Sequence, residues 1–159
     1  MIRVLFVCLG NICRSTMAEA VFQQRVREAG LSDQISTDSA GTGAWHLGNP
    51  PHPKTLQILE KYHVTGYQHL ARQIQGSDVQ EFDYILTMDH MNYKDVERMF
   101  PYRSSKLMPL LHFAPHLQAR EVPDPYYDGR YEEVYALVTE ACRGLLDHLR
   151  EEIGQEPIL

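Results

Sequence analysis

Three cysteines in 159 residues are too few, and odd in number, for a disulfide framework; they fit a chain kept reduced in a cytoplasm. No stretch approaches the roughly 20 apolar residues that a membrane-spanning helix needs. Basic residues are in deficit, 15 Lys and Arg against 21 Asp and Glu, for a net charge of −6. Neither nucleic acid nor an anionic membrane surface is therefore expected as a partner, and any anion must be held by a local site against the overall field. Internal repeats, low-complexity tracts and linkers are absent. So are Gly-x-Gly-x-x-Gly, a P-loop lysine and His-Glu-x-x-His, which argues against a dinucleotide-binding domain and against the common zinc-protease site. Among the eight histidines, His112 and His116 have i, i+4 spacing, but Pro115 between them spoils a helix. No metal and no cofactor are expected.

The N-terminus faintly mimics a secretory signal, with Arg3, an apolar stretch and then Ala18-Glu19-Ala20. Its apolar core spans only Val4 to Leu9 before Gly10, Asn11 and Arg14 interrupt it, which is short for such a segment. What remains is ordinary globular composition, 43% hydrophobic and 23% charged, enough for one domain over residues 1–159 with a sizeable core. Acidic residues crowd the end, at Glu132, Glu133, Glu140, Asp147, Glu151, Glu152 and Glu156, and read as a solvated helix face.

Periodicity predicts strands alternating with helices. Ile2–Val7 is apolar throughout, as a central parallel strand should be. A helix is expected over about 15–29, with Gly30 as its stop. A second strand follows over 34–40, then a Gly/Pro-rich loop over 41–53. Thr55–Tyr62 reads as a short helix with Leu56 and Leu59 inward. Ser77-Asp78-Val79-Gln80 has the form of a capping box. Tyr84–Met88 reads as a third strand, 89–100 as a helix, and Leu107–Phe113 as a fourth strand weakened or placed at an edge by Pro109. A turn-rich loop over 123–129 precedes a last helix over about 130–153. The expected fold is a single α/β domain: a four-stranded parallel sheet with helices on both faces. Ligands in such sheets bind beyond the carboxyl ends of the strands.

At that end of the first strand stands Cys8-Leu9-Gly10-Asn11-Ile12-Cys13-Arg14-Ser15. A loop between a strand and a helix start offers backbone N–H groups and the positive end of the helix dipole to an anion. An ordinary thiol is only about 3% ionised at pH 7, so a nucleophilic cysteine needs such surroundings. Gly10 permits positive φ and close approach of the backbone to a ligand. Asn11 tolerates left-handed geometry and can tie the loop by hydrogen bonds. Arg14 offers a planar fork matched to two phosphate oxygens. Ser15 can cap the helix and donate its hydroxyl to the cysteine sulfur. A lone cysteine at a strand end is more often a small buried hydrophobe; the spaced arginine, the Gly-Asn pair and the following helix favour the nucleophile instead. Within Val122-Pro123-Asp124-Pro125-Tyr126-Tyr127-Asp128-Gly129, Asp124 suits general acid chemistry, or Asp124 or Asp128 merely shapes the turn.

With these residues in place, the chain resembles the low-molecular-weight protein tyrosine phosphatase family over essentially its whole length. Besides the loop, the resemblance includes Asp38-Ser39-Ala40-Gly41, His69-Leu70-Ala71-Arg72-Gln73-Ile74, Phe82-Asp83-Tyr84-Ile85-Leu86 and Asp124-Pro125-Tyr126-Tyr127. It implies a phosphatase acting on tyrosine-phosphorylated protein or peptide. Cys8 would be the nucleophile that forms a phosphocysteine, Arg14 the phosphate clamp, and Asp124 the general acid and later base. The backbone from Leu9 to Cys13 would cradle the phosphate. Asn11, Ser15, Ser39 and His69 would form the hydrogen-bonded network behind the loop. Trp45, Tyr126 and Tyr127 would be the aromatic walls of the substrate cleft, and Ile12 would favour phosphotyrosine over phosphoarginine, because the arginine-specific relatives carry threonine there. Cys13 would trap an oxidised Cys8 in a reversible disulfide, whereas Cys142 reads as core. A monomer or weak self-association is expected.

Two other enzyme readings on the same scaffold are an arsenate reductase and a protein arginine phosphatase. The first needs a resolving cysteine pair late in the chain, where only Cys142 stands. A non-catalytic phosphotyrosine-binding module is a third alternative, and intact Cys8, Arg14 and Asp124 argue against it.

Overall fold

In the computed structural model, which describes residues 1–101 and 106–154, strand β1 (Ile2–Cys8) runs through the middle of the sheet. It pairs in parallel with β2 (Ile35–Gly41) on one side, from Ile2 opposite Ile35 to Cys8 opposite Gly41, and with β3 (Tyr84–Thr87) on the other. Strand β4 (Leu107–Pro109) pairs with β3, so the order is β2-β1-β3-β4 with every pair parallel. Glu156 of the acidic series lies outside the described residues.

β1 is apolar on both faces because both are covered. Val4, Phe6 and Cys8, with Leu86 of β3, join a large core with Met17, Phe22, Val134, Val138, Leu145 and Leu149, which α1 (Arg14–Glu28) and α6 (Tyr131–Glu152) supply from one side. Leu5 and Val7 point the other way, into a smaller core with Val79, Phe82, Ile85 and Val96 from α3 (Gly76–Glu81), α4 (His90–Met99) and their surroundings. This is the period-2 alternation of a strand between two helical layers.

The C-terminus of α1 follows the expected stop: Gly30 takes φ of 72°, Gly30 N–H reaches Arg27 O, and Leu31 N–H reaches Val26 O, the paired bonds that close a helix at a left-handed residue.

Four local expectations are corrected. Only Leu107–Pro109 is strand; Leu110–Phe113 turns into a 3₁₀ helix that buries Leu110 and Leu111, since proline cannot extend an edge ladder beyond its own position. In α2 (Pro53–Lys61), Thr55 and Leu59 face inward while Leu56 is 41% exposed. The cap of α3 is Gln75 rather than Ser77, with the Asp78 carboxylate accepting from Gln75 N–H at 2.7 Å. At the start of α1 the capping position falls on Cys13, and Ser15 lies within the first turn without capping it.

Candidate active site

β1 delivers Cys8 to the carboxyl end of the sheet, 2% exposed, at the mouth of α1. Its sulfur lies 3.2 Å from Asn11 N–H and 3.1 Å from Ser15 Oγ. Ser15 Oγ accepts from Asn11 Nδ2 at 2.8 Å, which leaves the serine proton free to point at the sulfur.

The sharp turn of the loop falls on Asn11, whose φ is 58°, and Gly10 is not among the positive-φ glycines. Glycine at 10 answers to space instead: a Cβ there would stand 2.9 Å from the His46 ring. Gly41 is under a stricter constraint, since a Cβ would meet Leu9 O at 2.7 Å. Beyond the end of β1, Thr42 N–H and Gly43 N–H continue the ladder onto Cys8 O and Leu9 O. The loop is thus anchored to the extension of β2 as well as to its own flanks.

Asn11 is the centre of the network behind the loop. Its Nδ2 also donates to Ser39 Oγ at 3.0 Å, and its Oδ1 accepts from His69 Nε2 at 2.8 Å and from Arg72 N–H at 3.0 Å. The expected Asn11, Ser15, Ser39 and His69 are therefore brought together. Sequence reasoning missed the outer ring. Arg72 bonds both oxygens of Asp78 and reaches Asp38, fixing the segment that carries its own amide. Tyr67 OH donates to Glu19 Oε1 at 2.7 Å and stands 3.5 Å from Ser39 Oγ. His69 is nearly enclosed, and burial lowers its proton affinity more than Asp38 restores it, with Arg72 lowering it further. The neutral ring with its proton on Nε2 is the form that suits Asn11 Oδ1.

Among the described residues, Glu19, Asp38 and His69 hold donor atoms within 4.8 Å of one another, close enough for a metal ion. These groups have other employment. Glu19 accepts from Tyr67 and Thr37, and Asp38 from Ser39 N–H and Arg72. Burial, the largest influence on Glu19, raises its pKa despite those donors, so its charged form is disfavoured there.

Arg14 opens α1 with 2% exposure. Nη1 donates to Asp89 Oδ2 at 2.5 Å and to Val122 O at 3.1 Å, while Nη2 lies 3.5 Å from Asp124 Oδ2. Burial opposes its charge, yet the facing Cys8, Asp89 and Asp124 more than offset this and push its pKa up. Asp124 and Asp128 separate clearly in role. Asp124 caps the short helix α5 (Pro125–Asp128), accepts from Tyr126 N–H and faces Arg14. Asp128 turns away to Arg130, whose backbone and side-chain hydrogen bonds lower its pKa.

Cys8, Leu9, Gly10, Ile12, Cys13, Arg14, Asp124, Tyr126 and Tyr127 line one cleft. Trp45 is 72% exposed, with its ring over Gly43, where a Cβ would stand 2.1 Å from it. His46 and His52 stand beside Tyr126, with ring centroids 5.9 Å from it in each case. No motif flagged these two histidines. The three thiols differ in surroundings. Burial pushes Cys13 up to about 11, only partly relieved by Tyr131 OH at 3.4 Å, and pushes Cys142 up to about 12. Both are neutral thiols near pH 7. A buried sulfur with two donors, a charged fork and a carboxyl on one cleft suit nucleophilic displacement at a tetrahedral anion.

Comparison with known proteins gives a consistent result. A family model, low molecular weight phosphotyrosine protein phosphatase, matches residues 3–155. The chain is 44% identical over 153 residues to the low molecular weight protein-tyrosine-phosphatase YfkJ of Bacillus subtilis, covering 96% of this chain and 98% of that one. It is 44% identical over 149 residues to the low molecular weight protein-tyrosine-phosphatase PtpA of Staphylococcus epidermidis, covering 94% of each. The crystal structure of YfkJ superposes with a TM-score of 0.93 over 96% of both chains.

Proposed function

The chain belongs to the low molecular weight phosphotyrosine protein phosphatase family, enzymes that hydrolyse phosphoric monoesters with a cysteine, and from that premise we propose that Cys8, Arg14 and Asp124 carry the reaction here. One observation supports this most directly: the Cys8 sulfur, the Arg14 guanidinium and the Asp124 carboxyl border one cleft, with Arg14 and Asp124 3.5 Å apart.

The Cys8 thiolate attacks phosphorus, the bond from phosphorus to the phenolic oxygen breaks, and Asp124 gives its proton to the departing tyrosine. Arg14 and the N–H groups of the loop from Leu9 to Ser15 neutralise the equatorial oxygens as charge builds. In the second step Asp124 takes a proton from water, water oxygen attacks phosphorus, and the cysteine sulfur leaves as a thiolate that Ser15 Oγ and Asn11 N–H receive. Ser39 and His69 keep Asn11 in its left-handed turn. Ile12, Tyr126 and Tyr127 form the apolar and aromatic wall, which suits a flat aryl phosphate.

The wider proposal is a single catalytic domain over residues 1–159, acting in the cytoplasm on tyrosine-phosphorylated protein as a monomer or weak self-associate, with no nucleic acid or membrane partner. It also includes redox sensitivity. Peroxide converts the Cys8 thiolate to a sulfenic acid, and the Cys13 thiol, which lines the same cleft, displaces water from it to give a disulfide that reductant reopens.

The test is phosphate release from matched phosphotyrosine, phosphoserine and phosphoarginine peptides, with Cys8→Ser as control. Rapid turnover of phosphotyrosine alone, lost in Cys8→Ser, is the expected outcome. A preference for phosphoarginine would keep the mechanism and overturn the assignment of the wall. Wild-type activity in Cys8→Ser would overturn the mechanism.

A further inference from the structure

Beside the cleft lies a second, larger depression of about 430 Å³, lined by Ile12, Asn49, Pro50, Pro51, His52, Pro53 and Leu56. The catalytic cleft is an order of magnitude smaller, about 40 Å³. Ile12 borders both. The two are also joined through the backbone, because His52 N–H donates to Ile12 O at 2.8 Å. His52 completes the junction, its ring edge-on to Tyr126. A peptide that puts a phosphorylated tyrosine into the cleft has this groove within reach on the Ile12 side.

The lining carries no formally charged side chain. Asn49 is fixed through its backbone, whose N–H and O bond His46 O and Ala71 N–H, and His52 Nδ1 accepts from Lys54 N–H at the start of α2. His52 is held neutral near pH 7, because burial and then the neighbouring Lys54 and His46 disfavour its protonated form. Pro50, Pro53 and Leu56 give it an exposed apolar surface beside the amide of Asn49, over the buried Pro51. Prolines have fixed φ and little conformational freedom to lose, so the groove is organised before anything binds.

We propose that this proline-lined groove is a substrate subsite that takes an apolar side chain, of leucine, methionine or phenylalanine type, within three residues of the phosphotyrosine. The proposal rests on the phosphatase reading above and adds a sequence preference to it. Ile12 divides the two chambers, so the groove selects on neighbouring sequence whereas the cleft selects on the phosphorylated residue.

The experiment scans leucine through the three positions on either side of phosphotyrosine in a serine-glycine peptide, with 4-nitrophenyl phosphate as a substrate too small to reach the groove. Leucine at one position is expected to raise kcat/KM about tenfold over serine, from burial of one aliphatic side chain, chiefly through KM. Leu56→Glu and Pro50→Glu, both at exposed positions, should each cut that gain below about twofold and leave 4-nitrophenyl phosphate turnover unchanged. That turnover also reports folding of each variant. A flat scan in the wild type overturns the subsite while leaving the phosphatase reading intact, as does a gain that survives both substitutions. Failure of the wild type to hydrolyse 4-nitrophenyl phosphate overturns the phosphatase reading and the subsite with it.

Discussion

Arg14 and Asp89, 75 residues apart in the chain, meet at 2.5 Å between Nη1 and Oδ2. The other oxygen of Asp89 accepts from Asn92 N–H and caps α4. One carboxylate thus ties the guanidinium of the anion loop to the helix that follows β3. Asp89→Asn keeps an N-cap and removes the charge, leaving a nearly buried arginine without the carboxylate that touches it most closely. The expected result is a fall in kcat/KM for aryl phosphates of about tenfold or more, with a smaller change in urea midpoint than Asp89→Ala, which loses the cap as well. Equal kinetics in wild type and Asp89→Asn would show that Val122 O suffices to orient Arg14.

The left-handed turn at Asn11 can be separated from its hydrogen bonds. Asn11→Gly keeps the backbone conformation and removes four side-chain bonds, whereas Asn11→Ala also forces a Cβ residue to hold φ near 58°. Both should lower kcat, and Ala should be less stable than Gly by about 1 kcal/mol. Denaturant unfolding of the pair measures the difference directly. If Ala equals Gly, strain at this residue contributes nothing.

General acid catalysis by Asp124 predicts a dependence on the leaving group. Asp124→Asn should slow hydrolysis of phenyl phosphate by about 10² to 10⁴ and affect a dinitrophenyl ester far less, since that leaving group needs no proton. Uniform slowing of both esters would assign Asp124 to phosphate binding through Arg14 instead.

His69 makes stability depend on pH in a stated direction. Its pKa is lower in the folded protein than in the unfolded chain, chiefly from burial. Its contribution is therefore complete above pH 6.5 and is lost as pH falls through the lower folded value. Glu19 works the other way, because its raised pKa favours the folded state as pH drops. Comparing urea midpoints of the wild type and His69→Gln from pH 7.5 to 5.5 isolates the histidine: the decline should be shallower in the variant. Parallel curves would mean that His69 titrates alike in both states.

The thiols should react unequally. Cys13 and Cys142, pushed up to about 11 and about 12, should resist iodoacetamide at pH 7 while Cys8 is alkylated, and inorganic phosphate should slow that labelling. Peptide mapping reads all three. After mild peroxide, reductant should restore activity to the wild type and much less of it to Cys13→Ser; equal recovery would remove Cys13 from redox protection.

The nucleophilic loop was legible in the chain because its geometry is local. A run of apolar residues, a thiol, Gly10-Asn11, an arginine and a helix start are within fifteen residues of one another, so backbone sterics and helix polarity dictate their arrangement. The parallel sheet was legible for a similar reason, since β1 reads apolar on both faces. Boundaries moved where local signals conflicted, as when Pro109 ended β4 and Leu110 turned inward. Contacts whose partners are remote in sequence were decided only by folding. Asp89 and Val122 reach Arg14 because the order β2-β1-β3-β4 sets the end of β3 beside that of β1. Arg72 and Tyr67 surround Asn11 and Ser39 through a loop crossing the end of β2, and His46 and His52 stand beside Tyr126. Sequence by itself determined the chemistry carried by one loop; the sheet order decided which distant side chains hold that loop in shape, because pairing register fixes their distances and no short stretch of chain encodes it.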